Sequence, residues 1–214
     1  MERARALAEE LGRVEKPSVE SFGGERKLFI VPLLFWSDNA PAEYSEKFEL
    51  YWQQVSDHVS RLEESLGKVQ RVYHESIFVG GEEGLEILEK LNASSCGIAR
   101  EKCHNGAQLE ETDDRELVEE SMDWERCLLL GFMSQKVARM VSESYIETSR
   151  KRYEHIAKRI DETLKAGERA ILFISERHRL QFPKDAQIFS ISPPALDQIH
   201  RWLRDRSEPK SDQQ

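Results

Sequence analysis

No stretch of this 214-residue chain approaches the roughly 18 consecutive apolar residues that a membrane-spanning helix requires. The first strong apolar run, KLFIVPLLFW at Lys27–Trp36, has the length of a strand. The opening residues, MERARALAEELGRVEK, carry no secretory apolar region. Cysteine is scarce and odd in number: Cys96, Cys103 and Cys127 follow no disulfide-framework spacing, which predicts reduced thiols and a soluble, cytoplasmic protein. Positive charge is short too, with 31 Lys and Arg against 40 Asp and Glu, a net charge of −9. Non-specific binders of nucleic acid or of anionic membrane are normally basic, so both partners are disfavoured unless a local patch exists. Disorder throughout is excluded, because four Trp and nine Phe need burial.

Catalytic and nucleotide-binding signatures are missing as well. The chain contains no P-loop, G-x-G-x-x-G, G-x-S-x-G or H-E-x-x-H, and no motif identifies a cofactor. Gly80-Gly81-Glu82-Glu83-Gly84 offers backbone amides to an anion, but its two glutamates repel phosphate, so a flexible turn is the better reading. Cys96, Cys103, His104 and Cys127 are the right ligand types for zinc. Their spacing lacks the paired ligands of structural sites, and no metal is assigned.

What is present reads as a single α/β domain over residues 27–206, with a small, mostly parallel sheet of about four strands and long amphipathic helices. A polar segment, 1–26 (with a short possible helix at Arg3–Leu11), precedes it, and a polar tail, 207–214, follows. The continuous apolarity of Lys27–Trp36 suggests a strand covered on both faces, with Pro32 marking its end, a bulge or an edge. After the turn-like Ser37-Asp38-Asn39, where Asp38 or Asn39 can cap, Tyr44, Phe48, Tyr51, Val55, Val59, Leu62 and Leu66 form one helical stripe over Ala40–Leu66. Val69–Phe78 is the second strand, completing a βαβ pattern, and Glu82–Leu91 is a short helix. Residues 92–115, rich in Asn, Ser, Gly and acid, read as a flexible loop. Helices follow at Arg115–Gly131 and Ser134–Ala166, strands at Arg169–Ser175 and Gln187–Ile191, and a last helix at Pro193–Arg206.

In open α/β sheets, ligands bind beyond the carboxyl ends of the strands. Glu75 ends the second strand and His178 follows the third, so parallel neighbouring strands would bring both to one rim. A carboxylate and an imidazole there can serve as base and proton shuttle or as two ligands of one metal; equally they can cap strand ends. Arg177 and Arg179 flank His178 and suit a small anionic ligand, or pair with nearby carboxylates.

The text SRKRYEHIAKRIDETLKAGERAILFISERHRLQFPKDAQIFSI runs a long, arginine-bearing helix into a strand, a histidine-bearing loop and a further strand. With KLFIVPLLFW through RVYHES, this layout resembles the TraB/ChaN/erythromycin-esterase-like superfamily over about half the chain. The resemblance implies a metal-dependent hydrolase with Glu75, Arg152 and His178 in its site. The histidine that the family places just after strand one is missing from FWSDNAPAEY. The expectation is therefore a binding or interaction protein, acting on a protein partner, as a homo-oligomer or on a small ligand. A divergent hydrolase is the alternative.

Overall fold

The computed structural model describes residues 25–36 and 40–207. The expected helix at Arg3–Leu11, the capping residues Asp38 and Asn39, and nearly all of the 207–214 tail lie outside the described residues. Eleven elements follow in order: β1 (Arg26–Pro32), α1 (Ala42–Leu66), β2 (Arg71–His74), α2 (Gly81–Leu91), α3 (Ala93–His104), β3 (Gln108–Leu109), α4 (Arg115–Leu130), α5 (Gln135–Thr163), β4 (Arg169–Ile174), β5 (Ala186–Ser190) and α6 (Pro194–Ser207).

All five strands are parallel, in the order β3-β2-β4-β1-β5. Parallel strands need long crossovers, and the long amphipathic helices supply most of them while covering both faces. Side chains alternate strictly between the layers. Phe29, Val31, Val72, Ile171 and Phe173 meet Phe48, Tyr51, Trp52, Val55 and Val59 of α1 together with Leu85 and Leu88 of α2. Leu28, Ile30, Tyr73, Ala170, Leu172 and Ile174 meet Ile156 and Ile160 of α5 and Leu164 just beyond it. Full burial of each large apolar side chain is worth about 1.5–3 kcal/mol, so these two layers dominate the stability of the fold.

β1 is fully buried and lies between β4 and β5, so it is no edge. Pro32 is tolerated as its last residue because the β5 ladder has already stopped at Ile30. The Pro32 carbonyl is taken up by the buried Tyr51 hydroxyl, which donates at 2.6 Å. At the amino-terminal ends of the strands, cations begin β1 and β2 and are met by acids. Arg26 pairs with Asp161 and Asp185, and Arg71 with Glu110 and Glu168. Beside them Lys102 of α3 bonds the buried Glu63 of α1 at 3.0 Å.

The 92–115 segment is not a loop. It holds α3 and β3, and its polar residues have structural positions. Asn92 caps α3 by accepting from the Ser95 amide at 3.1 Å, Ser95 is buried, and Gly106 takes a φ of +99° after the helix. β3, with two residues, is too short for any periodicity and makes the sheet five-stranded rather than four.

Candidate functional site

From β2 the chain moves outward to β3, whereas from neighbouring β4 it moves the other way to β5. The two exits diverge, so the crevice between the carboxyl ends of β2 and β4 is the topological switch point of the sheet. Three separate segments put charged side chains there.

Glu75 and Ser76 leave β2, Asp113 follows β3, and Arg152 reaches in from α5. The Arg152 Nη2 donates to Asp113 Oδ2 at 2.5 Å and to Ser76 Oγ at 3.4 Å, and its Nε donates to Asp113 Oδ1 at 3.4 Å. The same Nη2 stands 3.6 Å from Glu75 Oε1. Asp113 also accepts from the Ser76 amide at 3.0 Å and from the Asp114 amide at 3.0 Å. Glu75 Oε2 accepts from the Ser175 amide at 2.7 Å, which ties the exit of β4 to the exit of β2. The Asp113 side chain has no exposure, and those of Glu75 and Arg152 are 12% exposed.

Backbone conformation marks the same place. Ser76 has a φ of +69°, and among the described residues no other non-glycine residue has a positive φ. Strain of this kind persists where surrounding structure imposes it and gathers at functional sites. Here the Ser76 amide and hydroxyl are both drawn into the Asp113–Arg152 pair. Asp113 itself is placed by a tight turn, because the Thr112 and Asp113 amides both donate to the Ile77 carbonyl at 2.9 Å.

Beneath the cluster runs a chain of buried polar groups. His74 is fully buried, and its Nδ1–H donates to the Glu75 carbonyl at 2.6 Å. Its Nε2 is thereby left as an acceptor, 3.0 Å from Ser95 Oγ. Asn92 continues the chain by donating to the Leu34 carbonyl at 2.8 Å, beyond the end of β1. Burial holds the His74 imidazole neutral and pulls its pKa down to about 4.

Burial also raises the Glu75 carboxyl, against the Ser175 amide and the Arg152 charge, and the Asp113 charge adds to the rise. For Arg152, burial works against the charge, yet the bond and charge of Asp113 more than offset it. The Tyr153 hydroxyl is pushed up to about 12, first by burial and then by Glu75.

β2 and β4 are parallel neighbours, as the rim argument requires, and Glu75 and Arg152 do meet. His178 is not bonded to either of them. Its Nδ1 accepts from the Leu180 amide at 3.3 Å and its ring stands edge-on to Phe182, 5.7 Å between centroids. Arg177 and Arg179 are exposed on the same turn and make no ion pair with a described carboxylate. Asp113 and Ser76 escaped the reading of the sequence. Their one signal is Thr112-Asp113-Asp114 just ahead of a helical stripe, where Asp114 caps α4 by accepting from the Leu117 amide at 3.0 Å.

Among the described residues no three His, Cys, Asp or Glu side chains converge as metal ligands. Cys96 is buried in the α1-side core. A depression of about 420 Å³, lined by Trp36, Phe48, Glu89, Lys90 and Asn92 among others, includes none of Glu75, Ser76, Asp113 and Arg152. No helix among the described residues is long and apolar enough to cross a membrane. Comparison with protein-family models, with curated proteins and with solved structures returns no match, so the cluster must be read from its own chemistry.

Proposed function

We propose that this protein binds a small anionic ligand, a carboxylate or a phosphate ester, at the rim between β2 and β4, without breaking bonds in it. The observation that carries this is the uncommitted donor set. Arg152 Nε and Nη2 are engaged, whereas Nη1 donates to no group among the described residues. His178 accepts at Nδ1, so in the neutral ring Nε2 carries the proton and faces no described acceptor. Arg177 and Arg179 add two exposed guanidinium groups on the turn tied to Glu75 through Ser175. Guanidinium forks match carboxylate and phosphate oxygens. Burial raises the Glu75 carboxyl, which lessens its repulsion of an anion.

The binding reading also rests on what is already satisfied. Asp113 is held by Arg152 and two amides, and Glu75 by the Ser175 amide, and the one hydroxyl that meets an imidazole, Ser95 with His74, is fully buried with it beneath the rim. Calorimetric titration with inorganic phosphate, pyrophosphate and malonate tests the proposal. Saturable binding of at least one, weakened in Arg177→Ala/Arg179→Ala, supports it; no heat from any of the three contradicts it.

A second reading, a hydrolase of the type the resemblance implies, draws on the raised Glu75 carboxyl as a general base and on Arg152 as its electrostatic partner. It predicts that Glu75→Gln abolishes turnover of an activated ester or phosphoester while anion binding persists. Absence of turnover in the wild-type protein removes it.

A further inference from the structure

Among the described residues, most of the exposed large apolar side chains lie on the hairpin of α4 and α5. Leu129, Leu130 and Met133 around its turn are 83%, 85% and 103% exposed, and Met122, Val137, Met140 and Ile146 along its length are exposed as well. Only Val118 and Ser121 of α4 are buried, and α5 has no buried residue before Thr148. The distal arm is thus two helices leaning on each other, which leaves their outward apolar stripes without the tertiary packing that normally stabilises helices. Met122 and Leu129 stand seven residues apart, on one stripe of α4; Val137 and Met140 stand three apart on α5.

Charge along the arm is divided. From Arg126 to Ser142 every charged residue is a cation: Arg126, Lys136 and Arg139. From Glu116 to Glu125 every charged residue is an acid: Glu116, Glu119, Glu120, Asp123 and Glu125. Glu143 and Glu147 of α5 extend that acidic shaft. The tip is apolar and basic, with Lys136 unpaired among the described residues, Arg126 beside Asp123 and Arg139 beside Glu143; the shaft, with apolar Met122 and Ile146, stays acidic as far as Arg150 and Lys151, which meet Glu147.

We infer that the arm is a self-association surface on which two copies lie antiparallel, related by a two-fold axis, as a four-helix bundle. In that arrangement each basic tip covers the partner's acidic shaft, and the complementarity is used twice, as an isologous interface requires. Parallel pairing would set three cations against three cations, and an anionic lipid surface would meet the shaft acids as the arm lay down. The size is adequate. Two helices about 10 Å across and about 24 Å long present roughly 500 Å² in projection, and ridged side chains raise the accessible area towards the roughly 600 Å² per partner at which stable interfaces begin.

Sedimentation equilibrium of the full chain over a concentration and salt series tests this, with circular dichroism confirming that each variant is folded. The wild type dimerises, more weakly in high salt. Lys136→Glu/Arg139→Glu and Glu116→Lys/Glu119→Lys each weaken self-association on the order of tenfold, and an equimolar mixture of the two regains it as a heterodimer. Leu129→Ser/Met133→Ser, at fully exposed positions, gives a folded monomer. A wild type that stays monomeric throughout overturns the inference, whether or not it co-sediments with phosphatidylserine vesicles. So does a dimer that neither charge reversal weakens.

Discussion

Arg152 and Asp113, 39 positions apart in the chain, meet at 2.5 Å where the aspartate side chain has no solvent contact. This contact joins the exit of β3 to α5 across the exit of β2, and it fixes the geometry of everything else at the rim. Ser76 is held in its left-handed conformation by the same pair, and Glu75 is kept beside a cation that Asp113 already neutralises. A guanidinium so positioned is pre-oriented, with one nitrogen left to give.

The pair should behave as a unit in stability measurements. Asp113→Asn or Arg152→Met alone leaves an uncompensated, largely buried charge and is expected to cost about 3–5 kcal/mol in urea unfolding. The double variant, Asp113→Asn/Arg152→Met, should cost less than the sum by more than about 1 kcal/mol. Additive losses would show that the two residues contribute independently.

Ser76 tests whether the backbone strain serves the site. Ser76→Gly removes the side-chain penalty of a φ near +69°, and the protein should gain about 0.5–1 kcal/mol. If the hydroxyl helps to orient Arg152, anion affinity should fall in the same variant. A loss of stability would mean that the Ser76 hydroxyl bond outweighs the strain.

His74 predicts a pH dependence. Its folded pKa lies near 4, below the ordinary 6.5, so between these values the unfolded chain binds the proton and the native one does not. Stability from this residue is complete above about pH 6.5 and drains away towards pH 4, by about 3 kcal/mol over the window. Glu75, raised by burial, works in the opposite sense above its unfolded pKa. Urea midpoints from pH 7 to pH 4.5 should fall, and His74→Gln should flatten that slope. An unchanged slope would assign the acid sensitivity to other groups.

The buried Glu63–Lys102 pair at the amino-terminal ends of the strands supplies a control remote from the rim. Lys102→Met leaves the Glu63 carboxylate, which accepts from Lys102 at 3.0 Å, with only the Val69 amide at 2.9 Å and the exposed Lys68 at 3.5 Å. About 3 kcal/mol of stability should be lost, with anion affinity unchanged. A parallel loss of affinity would mean that the two ends of the strands are coupled.

Much of the architecture was legible because long helices write their buried side into the sequence. The stripe from Tyr44 to Leu66 located α1, and continuous apolarity marked β1 as covered on both faces. Residues 92–115 were misread because the features that suggest a loop have other origins: Asn92 caps, Ser95 meets a buried histidine, and Gly106 terminates a helix. The error hid Asp113, which lies in an acidic run that looks solvated yet holds the most buried carboxylate of the cluster. Glu75 and Arg152 were singled out through strand ends and layout, and the fold sets them 3.6 Å apart. The bond from His178 to its own loop depends on a turn that no periodicity encodes.

The most direct test of the rim as an anion site reads the Arg152 guanidinium itself. Its side-chain ¹H–¹⁵N resonances, assigned by their loss in Arg152→Lys, are followed by NMR during titration with pyrophosphate and with malonate. The account predicts a saturable shift of the Arg152 signal with one of these anions, weakened in Arg177→Ala/Arg179→Ala. An Arg152 signal that stays fixed while both anions are raised to saturating salt would contradict it.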